Sequence, residues 1–314
     1  MSGFESYTAT RQAEDIVDDV YIIDPVDNPI CSMARTIQAT GKNHEWSEDD
    51  LAALKKNANV EGAAAGADTS TAMTELNNYC QIFSEVAEIT GTLEVVDKYA
   101  RDSEMSYQLE KRYMEMARDE ESAVVGDAGG TGRQTAVAGN ASTAREMASL
   151  HAQLDASVIK YATVDGLISG VAITTIAELE TILLEAHLAT YNAGGNPGYA
   201  VTDPESAAYF AGFALSSGRN RDVMETTLVN VIDLYQSTYG RLDVVLNRSQ
   251  NQTDQAIVLY DPNYAATPVL RPTHDYAIAK AGDSDKRQVI RESTFAVLNT
   301  RAHAVVDLVP SGLT

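Results

Sequence analysis

The sequence predicts a mixed α+β chain whose long elements are completed by neighbouring copies of the same chain. Three stretches carry this prediction: an amphipathic helix over residues 96–124, an alternating run over residues 287–301, and residues 41–78, which lack sustained periodicity. One compact subunit would leave many of their apolar and hydrogen-bonding groups uncovered. Heterologous contacts that close into rings cover such groups, so we expect symmetric self-assembly.

Composition argues against several classes of function. The chain has 45 acidic and 23 basic residues and a formal net charge of −22, which repels DNA, RNA and anionic lipid at long range. Its two cysteines, Cys31 and Cys80, indicate no disulfide framework. The N-terminus lacks a signal-peptide pattern, and the longest nearly uncharged apolar run, Gly166–Ala177, is short against the ~20 residues that span a bilayer. We therefore expect a soluble chain made in a reducing cytoplasm.

The first 92 residues predict an arm, a loop and a strand in turn. Residues 1–40 are polar and contain Pro25 and Pro29, which favour an extended arm. Residues 41–78 mix charges, small residues and turn formers. Such a length without structure is unusual inside a compact domain, which predicts either disorder or partners on another chain. Residues 79–92 alternate in part between apolar and polar side chains and predict a strand.

The predicted long helix places Met105, Leu109, Tyr113 and Met116 on one stripe, with charged residues around them. A helix of ~25 residues is nearly ~40 Å long, which is more than most globular elements need. The glycines that begin at Gly126 end it.

Helices and strands alternate in the remainder of the chain. A second helix is predicted from Thr175 to the glycines after residue 193, with Glu178 completing a capping box. Asp203 and Pro204 predict the N-cap and first residue of a third helix, which reaches about Ser216. Short strands are predicted at GYAVTDP (198–204), LDVVLN (242–247) and AIVLYDP (256–262).

The C-terminal part predicts a hairpin with an unusually long second strand. The stretch KAGDSDKR (280–287) has the composition of a turn. After it, residues 287–301 alternate for about fifteen residues, whereas a typical strand has five or six.

The stretch HEWSEDDL, residues 44–51, is the part that most resembles a chemical site, because it combines a histidine, the only tryptophan and four carboxylates. No second histidine follows at the spacing of a zinc-protease helix. The spaced oxygen ligands and the central glycine of a calcium loop are also missing. We interpret the stretch as a solvated or partner-facing acidic surface.

Other candidate motifs fail in the same way. The stretch GDAGGTGRQT, from Gly126, has neither the lysine nor the spacing of a phosphate loop and is interpreted as a connector. The five histidines share no ligand spacing, and neither cysteine has a CxxC partner. The sequence therefore predicts no catalytic residue, no cofactor and no metal site.

Three long blocks of the sequence resemble the major capsid proteins of tailed bacteriophages, in particular the SU-ten-like head-protein family. The first contains DVYIIDPVDNPICSMA, HEWSEDDLAA and VEG; the second runs from NNYCQIFSEVAEITGTLEVVDKYARDSEM to EESAVV; the third runs from VLYDPNYAATPVLRPTHDYAIAKAGDSDKRQVIRESTFAV to HAVVDL. They cover well over half of the chain, in the family's order. Residues 127–250 match only loosely.

The resemblance implies the tailed-phage and herpesvirus capsid fold. It assigns the parts of that fold in order: 1–40 as the N-terminal arm, 41–92 as the extended loop over a neighbouring subunit, 93–126 as the spine helix of the peripheral domain, 127–255 as the axial domain, 256–301 as the peripheral sheet, and 302–314 as a strand returning to the axial domain.

The implied function is structural. Copies would form pentamers and hexamers of an icosahedral head that encloses double-stranded DNA without binding it specifically, assembled in the host cytoplasm and found in the virion. The resemblance also implies a portal, decoration proteins in some members, and either a scaffolding protein separate from this chain or a chain that is the processed form of a longer one. Some members crosslink a Lys to an Asn with a catalytic Glu; Lys55 and Lys56 lie in the loop, but the Asn and the Glu find no match.

Within this interpretation the acidic stretch becomes a contact surface, with Trp46 as its apolar anchor. The residues predicted to contact a neighbouring subunit are His44, Glu45, Trp46, Glu48, Asp49, Asp50 and Glu61. Two alternatives stay open: an encapsulin-like shell of a bacterial compartment, and a soluble metal-dependent enzyme that uses the acidic loop.

Overall fold

The structure is a computed structural model in which helices and strands are mixed along the whole chain. It describes residues 28–309 apart from residues 53, 65, 67–69, 97–102, 127–133, 165–170, 174–175, 205, 208–212, 214–233, 251–255 and 281. The helices are α1 (Pro29–Met33), α2 (Gly91–Val95), α3 (Glu104–Val125) and α4 (Ile176–Asn192). The strands are β1 (Arg35–Gln38), β2 (Asn43–Glu48), β3 (Thr74–Tyr79), β4 (Gln81–Thr90), β5 (Ile159–Val164), β6 (Val171–Ile173), β7 (Tyr199–Thr202), β8 (Leu234–Gln236), β9 (Arg241–Leu246), β10 (Ala256–Tyr260), β11 (Ala265–Ile278), β12 (Ser284–Ser293), β13 (Ala296–Val297) and β14 (Ala304–Val309).

A first sheet has five strands in the order β1-β11-β12-β4, with β13 pairing β11 beside this path. Strand β1 runs parallel to β11, and the remaining pairs are antiparallel. Helix α3 packs on this sheet. The hydroxyl of Tyr113 donates to Asp275 (3.0 Å), and Arg112 lies 3.7 Å from Glu85 of β4. The predicted arm therefore ends inside the fold, since β1 is one of the strands that the sheet contains.

A second sheet has seven strands in the order β6-β5-β14-β10-β7-β9-β8. Its central strand β10 is buried along its whole length. Ile257 and Leu259 of β10 pack in the same apolar cluster as Leu179 and Leu183 of α4, while Val258 packs in the cluster that contains α3. This strand therefore has apolar cores on both faces, as its unbroken apolar sequence requires.

Strands β2 and β3 form a separate two-stranded ribbon. The prediction of a coreless stretch over residues 41–78 is therefore wrong at both ends and correct only for its middle. The HEWSE sequence is a strand, which alternates between half-buried and exposed side chains. The pattern is only a few residues long, so it could not be separated from irregular loop sequence.

The long helix begins later than the sequence predicts. Val96 is extended (φ −68°, ψ 133°), and α3 begins at Glu104 after the N-cap Ser103. Glu94 of α2 accepts hydrogen bonds from the hydroxyl of Ser103 (2.8 Å) and from the backbone of Glu104 (3.1 Å). The bond from Glu104 satisfies one of the amides that a helix leaves unpaired at its start. The predicted end is confirmed, since Gly126 takes the left-handed conformation there (φ 102°).

The second predicted helix is confirmed; of the third, the structure describes helical residues at 204, 206–207 and 213, and its predicted end at Ser216 lies outside the described residues. Helix α4 ends at Asn192, and Gly194 follows with a φ of 91°; Thr175 of the predicted capping box lies outside the described residues. Asp203 caps the third helix, because its carboxylate accepts from the backbone of Ser206 (2.9 Å). The strands predicted within residues 198–262 are confirmed as β7, β9 and β10.

Two predictions about the C-terminal part are wrong. The run over residues 287–301 is not one strand, because β12 ends at Ser293 and β13 is only two residues long; the longest strand is β11, with 14 residues. Strand β10 was assigned with the peripheral sheet but pairs with β7 and β14 in the seven-stranded sheet. Local alternation does not reveal which sheet a strand joins, since pairing partners are distant in sequence.

Residues 298–303 join the two sheets and are named the linker below. The backbone of Leu298 donates to Tyr264 (2.9 Å), and that of Asp155 donates to Thr300 (3.1 Å). A Cβ built on Gly195 would lie 3.1 Å from the Cα of Ala302, so the end of α4 packs directly on the linker backbone. Among the described residues, no helix is both long and apolar enough to cross a membrane.

Candidate subunit interface

The two-stranded ribbon carries most of the residues predicted to contact a neighbour. Strand β2 pairs antiparallel with β3, with Trp46 opposite Leu76 and Glu48 opposite Thr74. Successive side chains of a strand point to opposite faces, so Trp46 and Glu48 share one face while Glu45 lies on the other. Asp50 follows the strand at the same two-residue spacing.

Trp46, Glu48 and Asp50 fasten the ribbon to the linker region of the same chain. The indole Nε1 of Trp46 donates to the carbonyl of Val297 (2.9 Å). The carboxylate of Glu48 accepts from the backbone N (2.9 Å) and the hydroxyl (3.1 Å) of Thr300. Asp50 forms an ion pair with Arg301. We name these three contacts the latch.

The latch forms because Trp46, Glu48 and Asp50, which are two residues apart, lie along residues 297–301. Glu48 binds Thr300 and Asp50 binds Arg301, at the point where the chain passes from the first sheet to the second. The direction of the ribbon is therefore tied to the junction between the two sheets.

Of the remaining predicted contact residues, His44 is half-buried and the other three are exposed. The ring of His44 lies 5.8 Å from that of Trp46, and partial burial lowers the pKa of His44 below its usual value. Glu45 is exposed and accepts from the side chain of Asn43 (2.6 Å), and Asp49 is exposed and accepts from the backbone of Asp50 (2.9 Å). Glu61 is exposed. The structure thus groups Trp46, Glu48 and Asp50 and leaves Glu61 apart.

The described residues between β2 and β3 form the tip of the loop and carry apolar side chains without cover. Leu51 is 100% exposed, and Val60 and Met73 are 82% and 64% exposed. Leu54 is also fully exposed. Lone exposed leucines are common, but a group of them in one extended segment indicates a surface that another molecule covers.

Two amide side chains that the sequence analysis missed, the buried Asn78 and the half-buried Gln153, support the base of the ribbon. Asn78 of β3 has no exposed surface; its Nδ2 donates to Phe295 (2.7 Å) and Ala148 (3.2 Å), and its Oδ1 accepts from the backbone of Ala148 (2.8 Å). Gln153 donates to the same two carbonyls, and its Oε1 accepts from the backbone of Val297 (3.1 Å). Neither residue belongs to a motif, so only the fold identifies them.

A cavity of about 310 Å³ lies beside these groups. Trp46, Leu76, Ala148, Gln153 and Val297 are among its lining residues. The indole of Trp46 therefore reaches the body of its own subunit, while the other side of the ribbon faces solvent.

The histidines of the described chain make structural contacts. His151 pairs with Asp307 (3.1 Å), His187 with the hydroxyl of Ser237 (2.9 Å), and His303 accepts from the backbone of Asp261 (3.1 Å). Within the residues that the structure describes, no group of three or more His, Cys, Asp or Glu side chains is arranged to hold a metal ion.

Comparison with known families identifies the chain. The sequence profile of the SU10 major capsid protein family matches residues 3–310. The chain belongs to this family. A curated relative, the major capsid protein of Escherichia phage Phieco32, is 29% identical over 117 residues, which are 37% of this chain and 33% of that protein, so the match spans about a third of that relative's length.

Solved structures place the fold. A chain from Microbacterium phage Oxtober96 superposes with a TM-score of 0.64 at 13% identity, covering 96% of each chain. The SrpI encapsulin of Synechococcus elongatus PCC 7942 superposes with a TM-score of 0.55 at 10% identity, covering 92% of each chain. The chain therefore has the α+β capsid fold of tailed phages, as the resemblance implied, and encapsulins share it.

Proposed function

We propose that this capsid protein self-assembles, through pentamers and hexamers, into the icosahedral head of a tailed phage that encloses double-stranded DNA. The observation that carries the proposal is the loop tip, whose leucines have no cover in one subunit although the base of the same loop is firmly held. Burying a leucine stabilises a contact by ~1.5–3 kcal/mol, and each subunit of a shell repeats the contact.

In this proposal six of the seven predicted contact residues divide into two roles, and His44, whose ring lies beside that of Trp46, stays a predicted contact. Glu45, Asp49 and Glu61 are exposed and contact the neighbouring subunit together with the apolar tip. Trp46, Glu48 and Asp50 act mainly through their own subunit, by aiming the ribbon at that neighbour.

The negative charge of the chain supports DNA enclosure without DNA binding. A net charge of −22 disfavours adhesion of packaged DNA to the wall, which would otherwise slow its entry and release. We infer a neutral to acidic inner surface and no specific nucleic-acid contact. A separate scaffolding protein and a portal are the partners that we infer for such a head, and its outer surface is where decoration proteins would bind.

The second candidate is an encapsulin-like compartment shell, which the structural similarity to an encapsulin favours. The two functions differ in content, since a phage head contains DNA and an encapsulin contains protein. Purified particles would therefore be analysed for both.

Electron microscopy of the purified, expressed chain tests assembly itself. Shells, tubes or rings of capsomers support the proposal, whether or not the scaffolding protein is supplied. A monodisperse monomer that persists at high concentration with the scaffolding protein present contradicts it. Nuclease-protected DNA in particles from infected cells then selects the phage head, and a single co-purifying enzyme selects the encapsulin.

A further inference from the structure

Glu121, near the end of α3, is a carboxylate with no exposed surface. Its Oε1 accepts from the backbone N of Ile30 (3.0 Å) and from Nδ2 of Asn247 (2.8 Å), and its Oε2 accepts from the backbone N of Cys31 (2.8 Å). Burial raises the pKa of Glu121 above its usual value, and these hydrogen bonds oppose the rise. Three donors from two distant parts of the chain thus converge on one side chain.

The first two donors lie in the first turn of α1, where a helix leaves its amides unpaired. Asn28 holds the N-cap position of α1 but makes no side-chain cap. Glu121 satisfies these amides instead, from 91 positions away in the sequence. The start of α1 is therefore held by α3, at the first residues that the structure describes.

The third donor connects Glu121 to the seven-stranded sheet. Asn247 follows β9, is fully buried, and accepts from the backbone of Ser249 (2.8 Å) through its Oδ1. Its backbone N donates to Thr202 of β7 (2.9 Å). If α1 shifts and Glu121 moves with it, the side chain of Asn247 loses its partner, and the turn after β9 loses that support.

The neighbouring residue, Glu120, holds the other sheet. It accepts from the hydroxyl of Ser293 (2.6 Å) and forms an ion pair with Arg291 (3.0 Å), both in β12. Two consecutive residues of α3 thus bind different parts of the fold. Glu120 binds the five-stranded sheet, and Glu121 binds α1 and the turn that follows β9 of the seven-stranded sheet.

We infer that Glu121 is a positioning residue that fixes the start of α1 and couples it to the turn after β9, so that the two segments loosen together. A carboxylate suits this role because it only accepts hydrogen bonds, whereas a glutamine would turn an NH₂ group towards at least one of the three donors. The inference concerns the subunit itself and does not depend on the shell function.

Hydrogen exchange on the full chain tests the inference, with Glu121→Gln as the variant. Exchange of the peptides that cover residues 28–34 and 246–250 is expected to rise together by about tenfold, which corresponds to the loss of one hydrogen bond to a charged group. The matched control is Glu110→Gln, the same change at an exposed position of the same helix, and should leave both peptides unchanged. A rise confined to one of the two peptides, or no rise, overturns the coupling.

Asn247→Ala provides a test that does not remove any contact made by α1, and it stands if Glu121→Gln fails to fold. Without Asn247, Glu121 loses the partner that orients it, so exchange at residues 28–34 is expected to rise about threefold. Unchanged exchange there overturns the coupling and leaves Glu121 as a local cap of α1.

Asn247→Asp should make the exchange protection of residues 28–34 depend on pH if Glu121 couples the two segments. A second carboxylate beside Glu121 repels it at neutral pH, and protonation of one of the pair restores a donor, so protection of residues 28–34 is expected to be lost at pH 8 and regained towards pH 5. The other ionisable groups around this site are Cys31 of α1, Tyr260 of β10, Glu120 of α3 and Arg291 of β12, and all are present in the wild type. A variant profile parallel to that of the wild type contradicts the inference.

Discussion

The base and the tip of the loop between β1 and β4 differ in what one subunit provides for them. At the base, the side chains of Trp46 and Glu48 have hydrogen-bond partners on the linker region, and Asn78 is fully buried. At the tip, Leu51 and Leu54 are fully exposed. The difference teaches that direction and affinity would be separate properties of this loop in the proposed shell: contacts within the subunit fix the base, and a neighbour would supply the apolar cover of the tip.

The largest expected effect is on assembly, from removal of the apolar tip. Leu51→Ser with Leu54→Ser removes ~3 kcal/mol or more of burial per contact if a neighbour covers both side chains. The association constant between subunits should fall by at least ~100-fold, which gradient sedimentation detects as a loss of particles. The free energy of unfolding of the subunit should change by less than ~0.5 kcal/mol.

The matched control for the tip is Lys55→Ser with Lys56→Ser, which changes two residues of the same segment and removes little apolar surface. It should leave the yield close to that of the wild type. Equal losses in both double variants would show that the tip is sensitive to any change and would remove the distinction from the base.

Changes at the base of the loop should lower the stability of the subunit, whereas changes at the tip should lower assembly. Asn78→Ala leaves the buried backbone N of Ala148 without its partner and removes one of the two donors to the carbonyls of Ala148 and Phe295, which should lower the free energy of unfolding by ~3 kcal/mol. Denaturant unfolding measures this. The same change at the neighbouring, exposed Asn77 should cost less than ~0.5 kcal/mol, and a similar cost at both positions would contradict the buried role of Asn78.

The support of the base should weaken in acid because of His303, at the end of the linker. Burial lowers the pKa of His303 from 6.5 to about 4. The unfolded chain therefore takes up a proton at higher pH than the folded chain, so this stability is complete above pH 6.5 and is lost as the pH falls towards 4. The expected loss between pH 7.5 and 5 is ~2 kcal/mol.

Unfolding at several pH values, compared with His303→Gln, isolates this contribution from that of the carboxylates. The variant should have lower stability at pH 7.5 but a shallower decline. A variant with the same slope as the wild type would show that His303 does not titrate in this range.

The smallest effect is expected for the latch itself. Trp46→Phe keeps an aromatic ring but removes the donor to Val297, which should lower the free energy of unfolding by ~1 kcal/mol. We also expect the shape of the particles to change. Micrographs should show a larger fraction of open or irregular particles at a similar yield of subunits. Uniform particles identical to those of the wild type would mean that the latch does not aim the ribbon.

The sequence predicted most of the elements but few of the contacts that fix them. Periodicity located α3, α4 and β4, because apolar spacing directly reflects which face is buried. It misplaced the start of α3, since the capping carboxylate of Glu94 belongs to the previous helix. Periodicity also did not reveal that β10 pairs with β14, because the two strands are tens of residues apart; the grouping of residues 256–301 into one sheet came from the resemblance.

The contact surface at the HEWSEDDL stretch stays a prediction, whereas the way in which its own subunit holds it was not predicted. The sequence interpretation of this stretch depended on the missing spacing of metal ligands. That Trp46 and Asp50 bind Val297 and Arg301 of their own chain follows only from the fold, since about 250 residues separate the partners. Asn78 and Gln153 gave no signal, because a buried amide looks in sequence like a surface one.

The most direct test of the account is a cryo-EM map of the assembled particle, examined at both parts of the loop. The account predicts that Leu51 and Leu54 are buried against a neighbouring subunit while Nε1 of Trp46 still donates to Val297 of its own chain. A tip that remains in solvent in the particle, or a Trp46 that has left Val297 and inserts into the neighbour, would contradict it.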